Sequence, residues 1–318
     1  MTANHLKSIR GFTIWELLCI ILILFFLVAI MMPSLNKVKK ISSRVVCGTN
    51  LKGLGTAASV YADDYEEWFP ELPGEGEWSK TLGFAYDMEK PDFGKDGAQY
   101  RTGRTISASW YLLVREVDVS PKSFVCHETN QTAFGYEYYS SSEHITKYWD
   151  FGDDPYQHVS YSMHNPYGRF PTRGSFSASF AFAGDMSPWF DHGDIIQPND
   201  NPREWWEGVR LLPPYFSDST ISREKIMQAN SIPHRREGQN IIFADGHSEY
   251  VKVPDVGVNH DNIYTFWSGV LDSMVSAEAT EKESKLEVSE MDKRIGTNPT
   301  SRSRDNDAKS AEDSFLAI

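Results

Sequence analysis

The 318-residue chain has only three cysteines, Cys19, Cys47 and Cys126, which excludes a small disulfide-dense scaffold. Positive charge is also in short supply: 31 Lys and Arg stand against 44 Asp and Glu, for a net charge of −13. A chain this acidic lacks the basic footprint of general nucleic-acid binding, so no nucleic-acid partner is expected. The sequence contains no P-loop, no dinucleotide glycine fingerprint, no G-x-S-x-G and no H-E-x-x-H, and no enzymatic activity is expected from it. What is present is an apolar fraction of 40%, with 18 Phe, 15 Tyr and 9 Trp. That composition argues against wholesale disorder, and the length allows one large domain or two small ones with a substantial core.

The charge is unevenly spread. Residues 1–52 hold seven basic side chains and one acid, Glu16, for +6, whereas residues 273–318 hold seven basic and ten acidic groups, for −3. Residues 53–272 hold the other 17 basic and 33 acidic groups, for −16. These figures suggest three pieces with different tasks.

Every residue from Leu17 to Met32 is apolar, and only Thr13 and Glu16 interrupt the run back to Phe12. At about 1.5 Å per residue, a helix of this length crosses roughly 30 Å of hydrocarbon. A cleaved secretory signal needs a small-residue A-x-A-like site after the run, but Met31-Met32-Pro33-Ser34-Leu35 follows it instead. A carboxylate at the edge of a span is costly, which makes Glu16 a functional candidate. Cys19 sits inside the run and is expected to be inert.

Gly11-Phe12-Thr13-Ile14-Trp15-Glu16-Leu17 resembles the G-F-T-x-x-E-L signature of type IV prepilins and type II secretion pseudopilins. The resemblance implies cleavage after Gly11 by a prepilin peptidase on the cytoplasmic side and N-methylation of Phe12. It also implies that Glu16 pairs with the N-terminal amine of a neighbouring pilin-like subunit. Two opposite charges in an apolar bundle cost least when they neutralise one another. Four basic residues (Lys37, Lys39, Lys40, Arg44) follow the span and two precede it, a bias toward a cytoplasmic C-terminal side that a large translocated domain overrides. The expected placement is a single pass through the bacterial cytoplasmic (inner) membrane. The N-terminus would be cytoplasmic and the remainder would lie in the periplasm or extracytoplasmic space, or at the cell surface.

Beyond the span, Leu35, Val38, Ile41 and Val45, then Cys47, Leu51, Leu54, Ala58, Tyr61 and Tyr65, recur at three- and four-residue steps. The spacing predicts a continuing amphipathic helix that ends near Glu66 and packs on a sheet. Gly48, Gly53 and Gly55 each weaken it by up to about 1 kcal/mol. Residues 70–97 read as a long loop, and Trp110 to Val114 as a short helix or strand. The alternation of Phe176, Ala178, Phe180 and Phe182 predicts a strand over 175–182. Two β-prone runs, 239–244 and 248–253, flank Asp245-Gly246-His247, a strong hairpin cue.

With His234 upstream, this hairpin resembles the H-x9-DG domain attached to prepilin-type leaders in planctomycete-like bacteria, a family of poorly defined role. Here ten residues separate His234 from Asp245, one more than in that pattern, and the loop 235–238 is where the extra one is expected. Cys47-Gly48-Thr49-Asn50-Leu51-Lys52-Gly53-Leu54-Gly55 resembles its C-x-x-N-L-K-x-L-G segment, and Ser123-Phe124-Val125-Cys126 the segment with a second Cys. Once exported, Cys47 and Cys126 would face an oxidising compartment, which leaves a disulfide or two buried free thiols.

Other chemistry reads more weakly. His234, Asp245 and His247 could serve as metal ligands or an acid–base pair, but turn structure accounts for the last two. Cys126-His127 lacks the paired C-x-x-C of a zinc site, and no metal is expected there. Asp153, Asp154, Asp191 and Asp194 are candidate calcium ligands in acidic loops, although neither stretch is an EF-hand, so no cofactor other than this calcium is expected. The expected organisation is a leader (1–11), a transmembrane helix (12–33), its amphipathic continuation (34–66), an α+β head (67–271) and a charged, largely disordered tail (272–318). The fold class is α+β, a long N-terminal helix packed on an antiparallel sheet. The expected function is pilin-like assembly; the alternative is an anchored carbohydrate-binding or hydrolytic ectodomain, with Trp205-Trp206 as candidate stacking residues.

Overall fold

A computed structural model describes residues 13–72, 105–135, 145–152, 154–167, 170–174, 176–191, 194–195, 230–265 and 313–317. Gly11, Phe12, nearly all of the 70–97 loop and Trp205-Trp206 lie outside these residues. The chain divides into two units, Met1–Ser43 and Arg44–Ile318.

Helix α1 runs from Ile14 to Asp64 and begins in the first unit. A reciprocal cap opens it. The Thr13 backbone N–H and hydroxyl donate to the Glu16 carboxylate at 2.9 and 2.7 Å, and the Glu16 N–H donates to the Thr13 hydroxyl at 3.3 Å. Thr-x-x-Glu is the capping-box pattern, which satisfies amide donors that a helix start otherwise leaves unpaired. The large apolar side chains from Ile14 to Met32 are exposed, and the helix is long and apolar enough to cross a membrane by length and composition. Leu35, Val38 and Ile41 are exposed as well.

In the second unit the expected stripe is buried from Cys47 onward, with Leu51, Leu54, Ala58 and Tyr61 in the core; Val45 and Tyr65 remain exposed. Gly55 explains how a helix weakened by glycine is retained: a Cβ there would overlap the side chain of Ile242. The missing side chain lets α1 lie close to the sheet.

Helix α2, Ile106–Glu116, resolves the helix-or-strand ambiguity. Thr105 caps it, its hydroxyl accepting from Ala108 N at 3.0 Å, and residues 106–114 are buried. Trp110 meets Phe124 and Phe182 edge-on, and Tyr111 meets Phe134 and Phe151 in the same way. Such offset ring pairs stabilise a core beyond the area they bury.

The sheet is antiparallel throughout, in the order β6-β5-β2-β1-β7. Its strands are β1 (Tyr161–His164), β2 (Ala181–Asp185), β5 (Gln239–Phe243), β6 (Ser248–Val251) and β7 (Leu316–Ala317), while β3 (Phe190–Asp191) and β4 (Asp194–Ile195) form a separate hairpin. The fold is thus α+β, with one long N-terminal helix and a five-stranded antiparallel sheet. The hairpin cue holds: Gln239 pairs with Val251 and Ile242 with Ser248, and Gly246 takes a φ of 83° in the turn, a conformation glycine adopts without a steric penalty.

Two expectations are corrected. The strand read over 175–182 begins only at Ala181 and continues through Gly184 to Asp185. The preceding residues turn instead, with Phe176 N bonded to Arg173 O and Phe180 N to Ser177 O, and the Ser177 hydroxyl accepting from Ser179 N. Serine side chains that bond the local backbone compete with strand pairing. The second concerns only the last described residues, 313–317; the rest of the expected tail, 272–312 and 318, lies outside the described residues. Phe315, Leu316 and Ala317 are fully buried, and β7 pairs with the edge of β1, His164 opposite Leu316. An apolar tripeptide after a polar stretch finds an unpaired sheet edge, and the edge is covered as a result.

Candidate functional site

The side chains of four separate segments converge beside α1. Cys47 lies on the buried face of the helix. Cys126 follows a short 3-10 turn, Pro121–Phe124, which Ser160 N ties in place through Phe124 O at 2.8 Å. Asp185 ends β2. His234 sits in the turn Pro233–Arg236, where His234, Arg235 and Arg236 all have φ near +60°. Three successive non-glycine residues in the left-handed region cost about 1–3 kcal/mol each. The same turn occupies the loop in which the sequence led us to expect the extra residue.

The two sulfurs are 2.7 Å apart and buried. His234 Nε2 is 3.8 Å from Cys126 Sγ, 3.4 Å from Asp185 Oδ2 and 3.5 Å from Asn240 Nδ2. On the other side of the ring, Nδ1 is 3.1 Å from Glu128 Oε2, which reaches toward the surface. Asp185 Oδ2 accepts from the backbone N–H and the side-chain amide of Asn240 at 2.6 and 3.1 Å. Its other oxygen is buried without a hydrogen-bond partner among the described residues. Cys47, Cys126 and His234 each offer a ligand atom, all within 4.8 Å of one another.

The electrostatics follow from this packing. The Cys126 hydrogen bond is the main influence holding the Cys47 thiol well below its ordinary range; burial opposes it and His234 adds to it. Cys126 is pushed the opposite way by Cys47 and by burial. Burial raises the Asp185 carboxyl to about 7, although His234 pulls it back. For His234, burial disfavours charge, but Cys47, Asp185 and Glu128 outweigh it and lift the imidazole above its usual value. The cluster therefore places an imidazole whose pKa is raised beside sulfur, with a carboxyl group near each ring nitrogen.

The sequence singled out three of these residues and paired Cys47 with Cys126 as a possible disulfide, but it did not bring His234 to them. His234 was grouped with Asp245 and His247, yet those two bond one another at the exposed turn, with the His247 ring stacked on Phe243. Asp185 and Glu128 carried no signal beyond a strand end and a surface acid. Of the calcium candidates, only Asp154 has a described side chain. Asp154 is exposed and accepts from Gln157 Nε2 at 3.3 Å, Asp153 lies outside the described residues, and Asp191 and Asp194 face one another in the register of the β3–β4 hairpin. Glu16 is described only with its capping partner Thr13.

No family model, curated protein or solved structure matches the chain.

Proposed function

We propose that the chain is a pilin-like assembly subunit, anchored by the start of α1 in the bacterial cytoplasmic membrane with its N-terminus cytoplasmic. A prepilin peptidase removes residues 1–11 and methylates Phe12, and the mature chain joins other pilin-like subunits through α1, in a type II secretion or type IV pilus-like system. One observation carries this reading. Among the described residues, every large apolar side chain that is exposed lies between Ile14 and Tyr65, on α1 and the turn after it. Contiguous exposed apolar surface marks a membrane or protein contact.

A carbohydrate-binding ectodomain needs exposed aromatic rings in a groove. Among the described residues, Trp110, Trp189, Tyr111, Tyr161 and Tyr264 are instead sealed in the core, which supports assembly; Trp205-Trp206 lie outside the described residues. Mass spectrometry of the mature protein extracted from membranes tests the proposal. Its N-terminal peptide is expected to begin at N-methylated Phe12, and a peptide beginning at Met1 would overturn the reading.

A further inference from the structure

The buried sulfurs of Cys47 and Cys126 are free thiols in contact at 2.7 Å, and three states are open to them: the hydrogen-bonded thiol pair, a thiophilic metal shared with His234, or a bond between the sulfurs themselves. A tetrahedral zinc with Zn–S bonds of about 2.3 Å keeps its thiolates roughly 3.8 Å apart, so the sulfurs would have to separate by about 1 Å. A metal would also need a neutral imidazole with a free lone pair. His234 has a carboxylate at each nitrogen, Glu128 at 3.1 Å and Asp185 at 3.4 Å, an arrangement that suits a protonated ring. Contact distance and ring environment both point away from the metal.

We propose that Cys47 and Cys126 form a redox-poised disulfide that ties α1 to the segment after the Pro121–Phe124 turn, with His234 as the positioned group that sets its poise. The co-reactant is a second disulfide, of glutathione or of a thiol oxidoreductase. The Cys47 thiolate attacks one sulfur of that disulfide, whose S–S bond breaks and releases one thiolate. Cys126 loses its proton and attacks the Cys47 sulfur of the mixed disulfide, releasing the second thiolate. Two protons and two electrons leave the cysteine pair, and the co-reactant becomes two thiols. Both sulfurs are sealed in the folded head, so exchange takes place when the head is open, as it is during folding after export.

The role of His234 is exerted on the reduced state. A positively charged ring beside Cys47 stabilises its thiolate, and whatever stabilises the reduced form makes the disulfide easier to reduce. The bond also removes the Cys47 charge, leaving Asp185 and Glu128 as the acidic partners of the ring. Cys19 is exposed on the apolar stretch of α1 and takes no part.

This inference rests only on the export part of the proposed function, and its test separates the two. Full-length protein extracted without reductant is denatured, alkylated with iodoacetamide and mapped by peptide mass spectrometry. The expected product is a linked Cys47–Cys126 peptide with Cys19 alkylated. Three alkylated cysteines would overturn the proposal, whether or not elemental analysis finds one equivalent of zinc. A linked pair in a chain that still begins at Met1 would uphold the disulfide while removing the leader-processing reading. Equilibration against reduced and oxidised glutathione then tests His234. His234→Gln is expected to raise the equilibrium constant for the disulfide about tenfold, and an unchanged constant overturns the role given to the ring. Should His234→Gln fail to fold, Glu128→Gln decides instead. A rise of about threefold supports the role, and no change removes it.

Discussion

Asp185 Oδ2 lies 3.4 Å from His234 Nε2, and both side chains are fully sealed from solvent. A buried pair of this kind says little about net stability until one partner is removed, which leaves the other charged or polar group alone in the interior. The same Asp185 oxygen also receives both donors of Asn240. Asp185→Ala is therefore expected to lower unfolding stability by about 3 kcal/mol, read as a shift of the urea midpoint. A loss below about 1 kcal/mol would show that the cluster does not hold the sheet to the His234 turn.

Two buried groups give stability opposite dependences on pH. Asp150 is fully buried, and burial raises its carboxyl to about 7 despite hydrogen bonds from Phe151 N, Thr105 and Ser107. Between an unfolded value near 4 and about 7, the folded state keeps a proton that the unfolded chain has lost. Stability then falls as pH rises, by at most about 1.4 kcal/mol per pH unit for one group. His164 acts in the opposite sense. Burial depresses its pKa to about 4, so it contributes stability that grows with pH up to about 6.5. Thermal unfolding of Asp150→Asn compared with the parent from pH 4 to pH 8 isolates the first effect. The variant is expected to gain relative stability as pH rises through this window. A constant difference across it would refute the assignment.

Glycines in one helix are expected to respond in opposite ways. Nothing approaches a Cβ at Gly53, whereas one at Gly55 would overlap Ile242. Gly53→Ala should stabilise by up to about 1 kcal/mol through helix propensity. Gly55→Ala should destabilise by about 1–3 kcal/mol, because overpacking outweighs the same gain. Equilibrium denaturation of the two variants side by side is the measurement, and equal signs would contradict the close packing of α1 on β5.

Glu16 has two roles that substitution can separate. Its carboxylate closes the cap with Thr13, and on the proposed function its charge pairs with a neighbouring subunit. Glu16→Gln keeps a capping acceptor and loses the charge, while Glu16→Leu loses both. If charge pairing drives assembly, both variants insert in the membrane and both lose crosslinking between subunits. Crosslinking retained by Glu16→Gln would make the cap, and not the charge, the working feature.

The sequence displays periodic features well and convergent ones poorly. The span, the Cys47-to-Tyr61 stripe and the Asp245-Gly246 turn each lie within one short window, where spacing alone reports the buried face or the turn. The strand at Ala181–Asp185 was misplaced because its phenylalanine alternation begins in a serine-bonded turn. The site could not be read in this way. Cys47 and Cys126 are 79 residues apart, and Cys126 and His234 are 108 apart, so their meeting depends on tertiary packing. The lack of a C-x-x-C pair discounted Cys126 only as a metal ligand, and its neighbours turn out to be a helix face and a strained turn.

Strand β7 makes the order of synthesis matter. His164 Nδ1 accepts from Phe315 N across 151 residues of chain, and Leu316 completes the pairing of β1. At roughly 5–20 residues per second, that intervening length takes on the order of 10–30 s to synthesise. Throughout that interval the nascent sheet holds a bare edge open to any strand that drifts past. A ribosome that stalls before Asp313 would release a chain with the docking rim of β1 still uncovered, a species marked for aggregation or for capture by a chaperone.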